Sequence, residues 1–532
     1  MIARFRRLPV KGLFLLAALA AWPVVARAAE LELHTRAQAA VPQQPDHWTT
    51  VEQLARWAPE KTAIIICDMW DRHWCQGATA RVGEMAPRMN AVLTEARRRG
   101  VHIIHAPSDT MKFYADYPQR KRAQQAPAAA APPDVAKWKS LNQAKEGPLP
   151  IDDSDGGCND VPPCPQGGPW RQQIAVLEIA PEDYVSDSGP EIYNVLQQLG
   201  VENVIVMGVH TNMCVLGRPF SIRAMVGLGK QVVLMRDLTD TMYNSRQRPW
   251  VNHCVGTDLV VEHIEKFWCP SITSADFLGG EPFRFREDRR PRVVYVLAEN
   301  EYQTATTLPA FVQRTLAWRG LRADYVTAST RLDDFDFQNV EALKDADLVF
   351  LSVRRRGMPA RMASLLREHL EAGRPLVGIR TASHAFAPGG DELKRHPGFA
   401  EWPSLDREVL GGNYHGHYGA GPAATVRPAP GREQDPRLTG VDTGFQTLSS
   451  LYRNGPLPEG TEPLLVAAIP DNPPEPVAWT HRYGPRGARV FYTSLGGPRD
   501  FENAAFQRLL LNGLLWALDQ PIPPAAARIE HP

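Results

Sequence analysis

A cysteine opens a helix directly after a buried strand in "ENVIVMGVHTNMCVLG", Glu202 to Gly217. An aspartate closes another apolar run in "TAIIICD", Thr62 to Asp68. In open α/β sheets, ligands bind beyond the carboxyl ends of the strands. If these two strands lie close together in one sheet, Cys214 and Asp68 share a crevice as a thiol nucleophile and its general base or orienting partner. A helix N-terminus offers free N–H groups and a partial positive charge. The position of Cys214 therefore predicts a lowered thiol pKa and donors for the oxyanion of an acyl intermediate. Cys67 alternates to the other face of its strand and reads as buried filler.

Polar and aromatic groups cluster near both ends. "CDMWDRHWC" puts Trp70, Asp71 and His73 just past Asp68, and His105 ends the next apolar run. Trp70, His73 and His105 read as pocket lining or hydrogen-bonding groups. His210 and Asn212 sit inside the turn before the cysteine, where His210 is placed to orient substrate and Asn212 to make a polar contact. Arg218 and Arg223 follow, either binding an anion or forming a solvated helix face, the latter especially for Arg223. Asp237 and Asp240 come after the last clear strand, at the crevice rim.

The elements that must hold these groups repeat a strand–helix rhythm. Strands are predicted at Thr62–Asp68, Val101–His105, Glu202–Gly208 and Lys230–Asp237, with helices near 79–99, 189–199 and 215–228. Short β-branched runs separated by helices indicate a parallel sheet covered on both faces. Residues 118–170 break the rhythm, running through "QQAPAAAAPPDVA" and "GGCNDVPPCPQGG". That is too long for an ordinary connection, so it reads as a lid, a partly disordered insertion or a solvated excursion. Its Cys158 and Cys164 are close enough in sequence for a local disulfide. A Gly/Pro/charge-rich linker at 279–290 precedes a second strand–helix series, from "RVVYVLA" to a closing helix over 501–518. A length of 532 residues fits two to four domains at about 150 residues each.

The first half resembles the isochorismatase-like cysteine hydrolases through "IIICDMW", "GVHTNMCV" and "VVLMRDLTDT", over a domain at 48–278. The resemblance implies Cys214 as nucleophile and Asp68 as acid/base partner. It also implies a cis peptide between Val209 and His210 that shapes an oxyanion site together with Met213. The family's third catalytic group, a lysine some thirty residues before the cysteine, is absent from "AVLEIAPEDYVSDSG". Lys145, Lys112 or Arg171 reaches the site from elsewhere, another group replaces the lysine, or hydrolase activity has been lost.

The second half, 291–520, resembles the ThuA-like (trehalose-utilisation) family through "RPLVGIRTASHAFA", "LGGNYHGHYG" and "GARVFYTSLGG". That implies a flavodoxin-type, class I glutamine-amidotransferase-like fold. In that fold a cysteine sits on a strained elbow after a central strand. Here the strand is "PLVGI" and no cysteine follows 269, which excludes cysteine-based glutaminase chemistry in this half. Ser383, His384, His415 and His417 then line a pocket. His415 and His417 share a face if they lie on a strand, and would hold a metal only with more distant ligands. The family association makes a carbohydrate ligand plausible. The expected fold is α/β, with two doubly wound, three-layer αβα domains and mainly parallel sheets.

The first 28 residues combine a basic start, an apolar stretch from Leu13 to Val25 and Ala26-Arg27-Ala28. This predicts a signal peptide cleaved near Ala28 and an exported protein, periplasmic or secreted. The stretch is short for a membrane anchor, and no later segment spans a membrane. Seven cysteines would then sit in an oxidising compartment. Lys+Arg and Asp+Glu are both 59, so nothing in the charge supports a nucleic-acid partner. The expected partner is a small-molecule substrate, with no cofactor, and homo-oligomerisation is left open. The function expected is hydrolysis of a C–N, amide-like or related bond. The alternatives are a non-catalytic two-domain binding protein, or a ThuA-like domain acting on (keto-)sugars with the first domain accessory.

Overall fold

The computed structural model describes residues 29–530 apart from 42–43, 330, 332–333, 390–393, 395 and 420–421. The expected leader, 1–28, falls outside the described residues. The first sheet has eight strands: β1 (Leu31–Val41), β2 (Gln44–Trp57), β3 (Thr62–Cys67), β4 (His102–Ala106), β5 (Tyr184–Val185), β6 (Asn203–Val209), β7 (Gln231–Asp240) and β8 (Ser271–Ile272). They lie in the order β2-β1-β8-β7-β6-β3-β4-β5. From β8 to β5 all neighbours are parallel, and β1 and β2 add an antiparallel edge hairpin, which lengthens the sheet beyond the sequence expectation.

The central strands are apolar throughout because both faces are covered. Every residue of β3 and β6 is buried. Ile65 and Ala63 of β3 enter one core with Val215 and Leu216, whereas Ile64 and Ile66 enter another with Val82, Met85 and Met89 of the Gln76–Arg99 helix.

From β3 the chain adds β4 and β5 on one side, and from β6 it adds β7 and β8 on the other. The β3–β6 boundary is therefore the topological switch point, where a ligand crevice forms. The two strands run side by side in register up to Cys67 and Gly208. Gly208 has φ +114°, and a Cβ there would stand 2.1 Å from the Cys67 carbonyl oxygen, so only glycine permits this approach.

The second sheet has ten strands. Arg322–Ala328, Arg292–Ala298, Leu348–Val353, Leu376–Ile379 and Ala488–Thr493 are parallel in that order. The sheet continues antiparallel through Glu475–Tyr483, Glu462–Ala468 and Ala424–Pro428. Alternate residues of Arg292–Ala298 again feed two cores, one per face. The fold is thus α/β with two helix-covered sheets, and the outer half of the second sheet is antiparallel.

Two expectations are corrected. The single helix at 215–228 is two short ones, Cys214–Gly217 and Ile222–Gly227. Pro219 lacks an N–H and pushes the preceding Arg218 into extended backbone at φ −59°, ψ 150°. The 118–170 stretch is largely exposed, as a solvated excursion would be, and is tied to the rest of the sheet's cover at discrete points. Lys139 N–H donates to the Gly217 carbonyl at 2.7 Å, and Ala129 N–H donates to Asn194 at 2.9 Å. Cys158 and Cys164 form no disulfide; all seven cysteines are free thiols. Among the described residues, no helix is long and apolar enough to cross a membrane.

Candidate functional site

Because β3 and β6 are adjacent and parallel, Asp68 and the Val209–Cys214 turn emerge at the same edge of the sheet. Asp68 is fully buried at φ +49°. Its Oδ1 accepts from the Ser108 N–H at 2.8 Å and its Oδ2 from Arg218 Nε at 3.0 Å. The Cys214 thiol hydrogen-bonds the same carboxylate. The Val209–His210 peptide is cis. The His210 backbone N–H points toward the Cys214 sulfur. The Met213 N–H, by contrast, is spent on the His210 carbonyl at 3.0 Å, so it is not a free oxyanion donor.

The cation paired with Asp68 is an arginine, Arg218. Lys112 and Arg171 are exposed, and Lys145 lies over the Trp268 ring at 4.1 Å. Arg218 instead reaches back from the residue that ends the nucleophile's own short helix. Its guanidinium also lies 3.5 Å from Asp109 and 5.5 Å from the centre of the Trp138 ring. Sequence reading placed Arg218 as an anion binder or a solvated residue. The signal that could have found it is the following proline, which stops the helix at 218 and turns the chain there.

Electrostatics set the resting state. Burial pushes the Cys214 thiol well above its ordinary pKa, and the Asp68 charge adds to this, while Arg218 opposes it. The expected acidification by a helix N-terminus does not prevail, because the helix is four residues long and the site is buried beside a carboxylate. Burial also raises Asp68, against the pull of Arg218, the Cys214 thiol and Ser108. Burial works against the Arg218 charge, but Asp68 outweighs it and keeps Arg218 protonated. The resting site is therefore a neutral thiol beside a carboxyl group whose pKa burial raises, with the Arg218 charge opposing that rise in both.

Aromatic groups continue from both motifs. Trp70 stacks on Trp170 with centroids 4.4 Å apart, and His73 stacks on Trp170 at 5.8 Å. His73 meets His210 edge-on at 4.8 Å. Burial, then Arg81, lowers His73 to about 4, and burial, then His73, lowers His210 to about 3, so both imidazoles are neutral at pH 7. His210 Nε2 is buried without a hydrogen-bond partner, a free polar handle inside the turn.

Other candidates do structural work. Both nitrogens of His105 are taken, by Gln173 at 2.9 Å and Asp183 at 3.0 Å. Asn212 donates to Asp153 of the insertion at 2.7 Å and accepts from Met242 N–H at 3.0 Å. Asp71 accepts from the Arg171 N–H. Asp240 is buried between Arg81 and His253, and Asp237 binds Ser274 and the Phe283 N–H of the linker. Arg223 is buried rather than solvated, donating to Glu146 at 2.9 Å and to the Lys139 carbonyl.

In the second half, the residue after the Leu376–Ile379 strand is Arg380, with φ +46°. The elbow backbone is present, with an arginine where related folds carry a nucleophile. Arg380 donates to the Ser494 carbonyl and to Ser450, and lies 4.2 Å from the centre of Tyr452 and 4.6 Å from that of Tyr302. Ser383 Oγ lies 3.1 Å from His384 Nδ1, and His384 stacks on Tyr414. Burial, with Arg355, Arg354 and Arg380 nearby, lowers His384 to about 3. His415 and His417 are exposed, and each Nδ1 bonds a backbone carbonyl. Among the described residues, no third ligand atom joins them.

Comparison with known proteins assigns part of the chain. Residues 292–517 match the ThuA family model, described as trehalose utilisation. The ThuA region includes the Arg380 elbow and its aromatic neighbours. A putative ThuA-like protein from Bacteroides uniformis ATCC 8492 is 17% identical, covers 45% of this chain and 95% of its own, and has a TM-score of 0.33. A cysteine hydrolase from Pseudomonas syringae pv. phaseolicola 1448A is 18% identical, covers 41% and 91%, and has a TM-score of 0.26. An isochorismatase from Pseudomonas putida KT2440 is 16% identical over 41% and 91%, with a TM-score of 0.26. No curated protein matches the chain.

Proposed function

We propose that the first half is a cysteine hydrolase that opens a C–N or related bond of a small molecule, and that the protein is exported. The observation that carries this reading is the pairing of buried Cys214 and Asp68 with the half-buried Arg218 at the switch point of the first sheet. Asp68 accepts the thiol proton as sulfur attacks the carbonyl carbon. The oxyanion forms beside the His210 N–H. Asp68 then returns the proton to the leaving nitrogen, and the amine departs from a thioester. Water attacks the thioester with Asp68 again taking a proton, and acid product leaves with the thiol restored. An arginine cannot exchange a proton near neutral pH, so Arg218 favours the charged form of Asp68 and all proton traffic passes through Asp68. The high resting pKa of Cys214 makes thiolate formation simultaneous with attack.

The test is a screen of small amides and related acyl compounds with the mature protein, read by acyl-adduct mass at the Cys214 peptide. A thioester mass that is absent in Cys214→Ala supports the reading. No adduct and no turnover across the panel, with the fold intact by circular dichroism, refutes it.

One observation favours a second role for the ThuA region. Its elbow carries a buried arginine flanked by Tyr302 and Tyr452, with Tyr414 packed on Tyr452, an arrangement that binds rather than attacks. A polyhydroxylated, sugar-like ligand suits stacking and hydrogen bonding of this kind.

A further inference from the structure

Away from Cys214, three more cysteines converge on one oxygen. Cys75 caps the Gln76–Arg99 helix, and its sulfur accepts from the Ala78 N–H. Cys158, Asp160 and Cys164 come from the insertion. The sulfurs of Cys75, Cys158 and Cys164 lie 3.3, 3.4 and 3.2 Å from Asp160 Oδ2, and the Gly77 N–H donates to that same oxygen at 3.0 Å. Four donors on one oxygen exceed its two lone pairs, so a set of neutral thiols is a poor description of the cluster. A tetrahedral zinc ion, with about 2.3 Å bonds to sulfur and about 2.1 Å to a carboxylate oxygen, has sulfur–oxygen edges of about 3.6 Å. The observed separations fall just inside that figure. The Cys75 and Cys158 sulfurs and the Asp160 oxygen also lie within 4.8 Å of one another.

We propose that Cys75, Cys158 and Asp160 hold a zinc-class divalent cation, and that Cys164, whose sulfur is 3.2 Å from the same Asp160 oxygen but stands outside that close group, moves in as the fourth ligand, giving three thiolates and one carboxylate oxygen. Loading releases three thiol protons to solvent. The Gly77 N–H keeps orienting the carboxylate, and Arg246 holds the Asp160 carbonyl at 3.2 Å. Arg81 lies against Gly77 and offsets part of the excess negative charge of the ligand set. The ion would staple the insertion to the start of the helix that follows the Asp68 motif. Met213, next to the nucleophile, packs on this cluster, and Asp153 of the same segment holds Asn212. A disulfide would consume two of the three sulfurs and leave the third beside the half-buried Asp160 carboxylate.

The test uses the mature chain, reduced, stripped with chelator and titrated with cobalt(II), then zinc(II). The expected result is thiolate-to-cobalt charge transfer with intense tetrahedral d–d bands, saturating at one ion per chain and displaced by zinc. Cys158→Ser and Asp160→Asn should weaken cobalt binding at least tenfold, while Cys269→Ser leaves it unchanged. Zinc should also slow tryptic cleavage within 118–170. Two results overturn the proposal. One is a wild-type cobalt spectrum without thiolate charge transfer. The other is a disulfide among Cys75, Cys158 and Cys164 in most molecules of unreduced exported protein.

Discussion

Arg218 Nε stands 3.0 Å from Asp68 Oδ2, and Arg218 follows Cys214 by four residues. The cation that pairs with Asp68 thus travels with Cys214 rather than arriving from another strand, and on the proposed mechanism this ties the acid/base group to the nucleophile. Replacing Arg218 with Met removes the charge that counters the burial of Asp68. The Asp68 pKa then rises further, so the acid limb of kcat/KM should move to higher pH. Activity at neutral pH should fall about a hundredfold or more, because the base is then protonated. Arg218→Lys should recover part of the loss. Steady-state profiles of the three proteins check this, and an unmoved acid limb would exclude the role.

Asp68→Asn should separate reactivity from catalysis. The Asp68 charge is second only to burial in raising the Cys214 thiol. Removing it lowers the thiol pKa, so alkylation of Cys214 by iodoacetamide at pH 7 should speed up while amide hydrolysis is lost. Site-resolved mass spectrometry measures the first and product release the second. Slower alkylation in Asp68→Asn would contradict the assigned charge state.

Glu146 anchors the insertion through Arg223 at 2.9 Å, His263 at 3.0 Å and Trp268 at 2.5 Å. Burial by itself would raise this carboxyl, but hydrogen bonds from Arg223, Trp268 and His263 outweigh it and hold it at about 2. A depressed carboxyl contributes stability above its unfolded value of 4.5, and that contribution is lost as pH falls toward about 2. Proteolytic protection of 118–170 should therefore persist at pH 5 and fade between 4.5 and 2. Glu146→Gln leaves Arg223 buried without its counter-ion and should cost about 3 kcal/mol. Urea denaturation at pH 7 measures that cost.

The export proposal has a direct readout. Expressed in a bacterial host, the full chain should yield a periplasmic or secreted protein beginning at Ala29, seen by intact mass and N-terminal sequencing. A cytoplasmic protein that retains Met1–Ala28 would refute it.

Much of the site was legible because the strands carrying it are short and uniformly apolar. Asp68 directly follows such a strand and Cys214 opens the helix after the neighbouring one, and strand ends define crevices in parallel sheets. Arg218 was harder to see, because its role depends on one proline that breaks a pattern otherwise helical over 215–228. His105 and Asn212 carry the right chemistry for a pocket. Their partners, Gln173, Asp183, Asp153 and Met242, are distant in sequence, and only folding shows the hydrogen bonds already spent. The antiparallel half of the second sheet was read as strands, but pairing direction is not encoded in a single apolar run. The thiol cluster joins Cys75 to an insertion some eighty residues later, a contact no local spacing announces.

Trp138 lies where a Cβ on Gly217 would stand, 2.5 Å from the nearest ring atoms, so the insertion closes directly over the helix of the nucleophile. Trp138 keeps 46% of its surface exposed, so the cover is a thin one, a single ring resting on backbone. Glycine at 217 is what lets that ring settle there: any side chain would push Trp138 off and lift the insertion from the Cys214 helix.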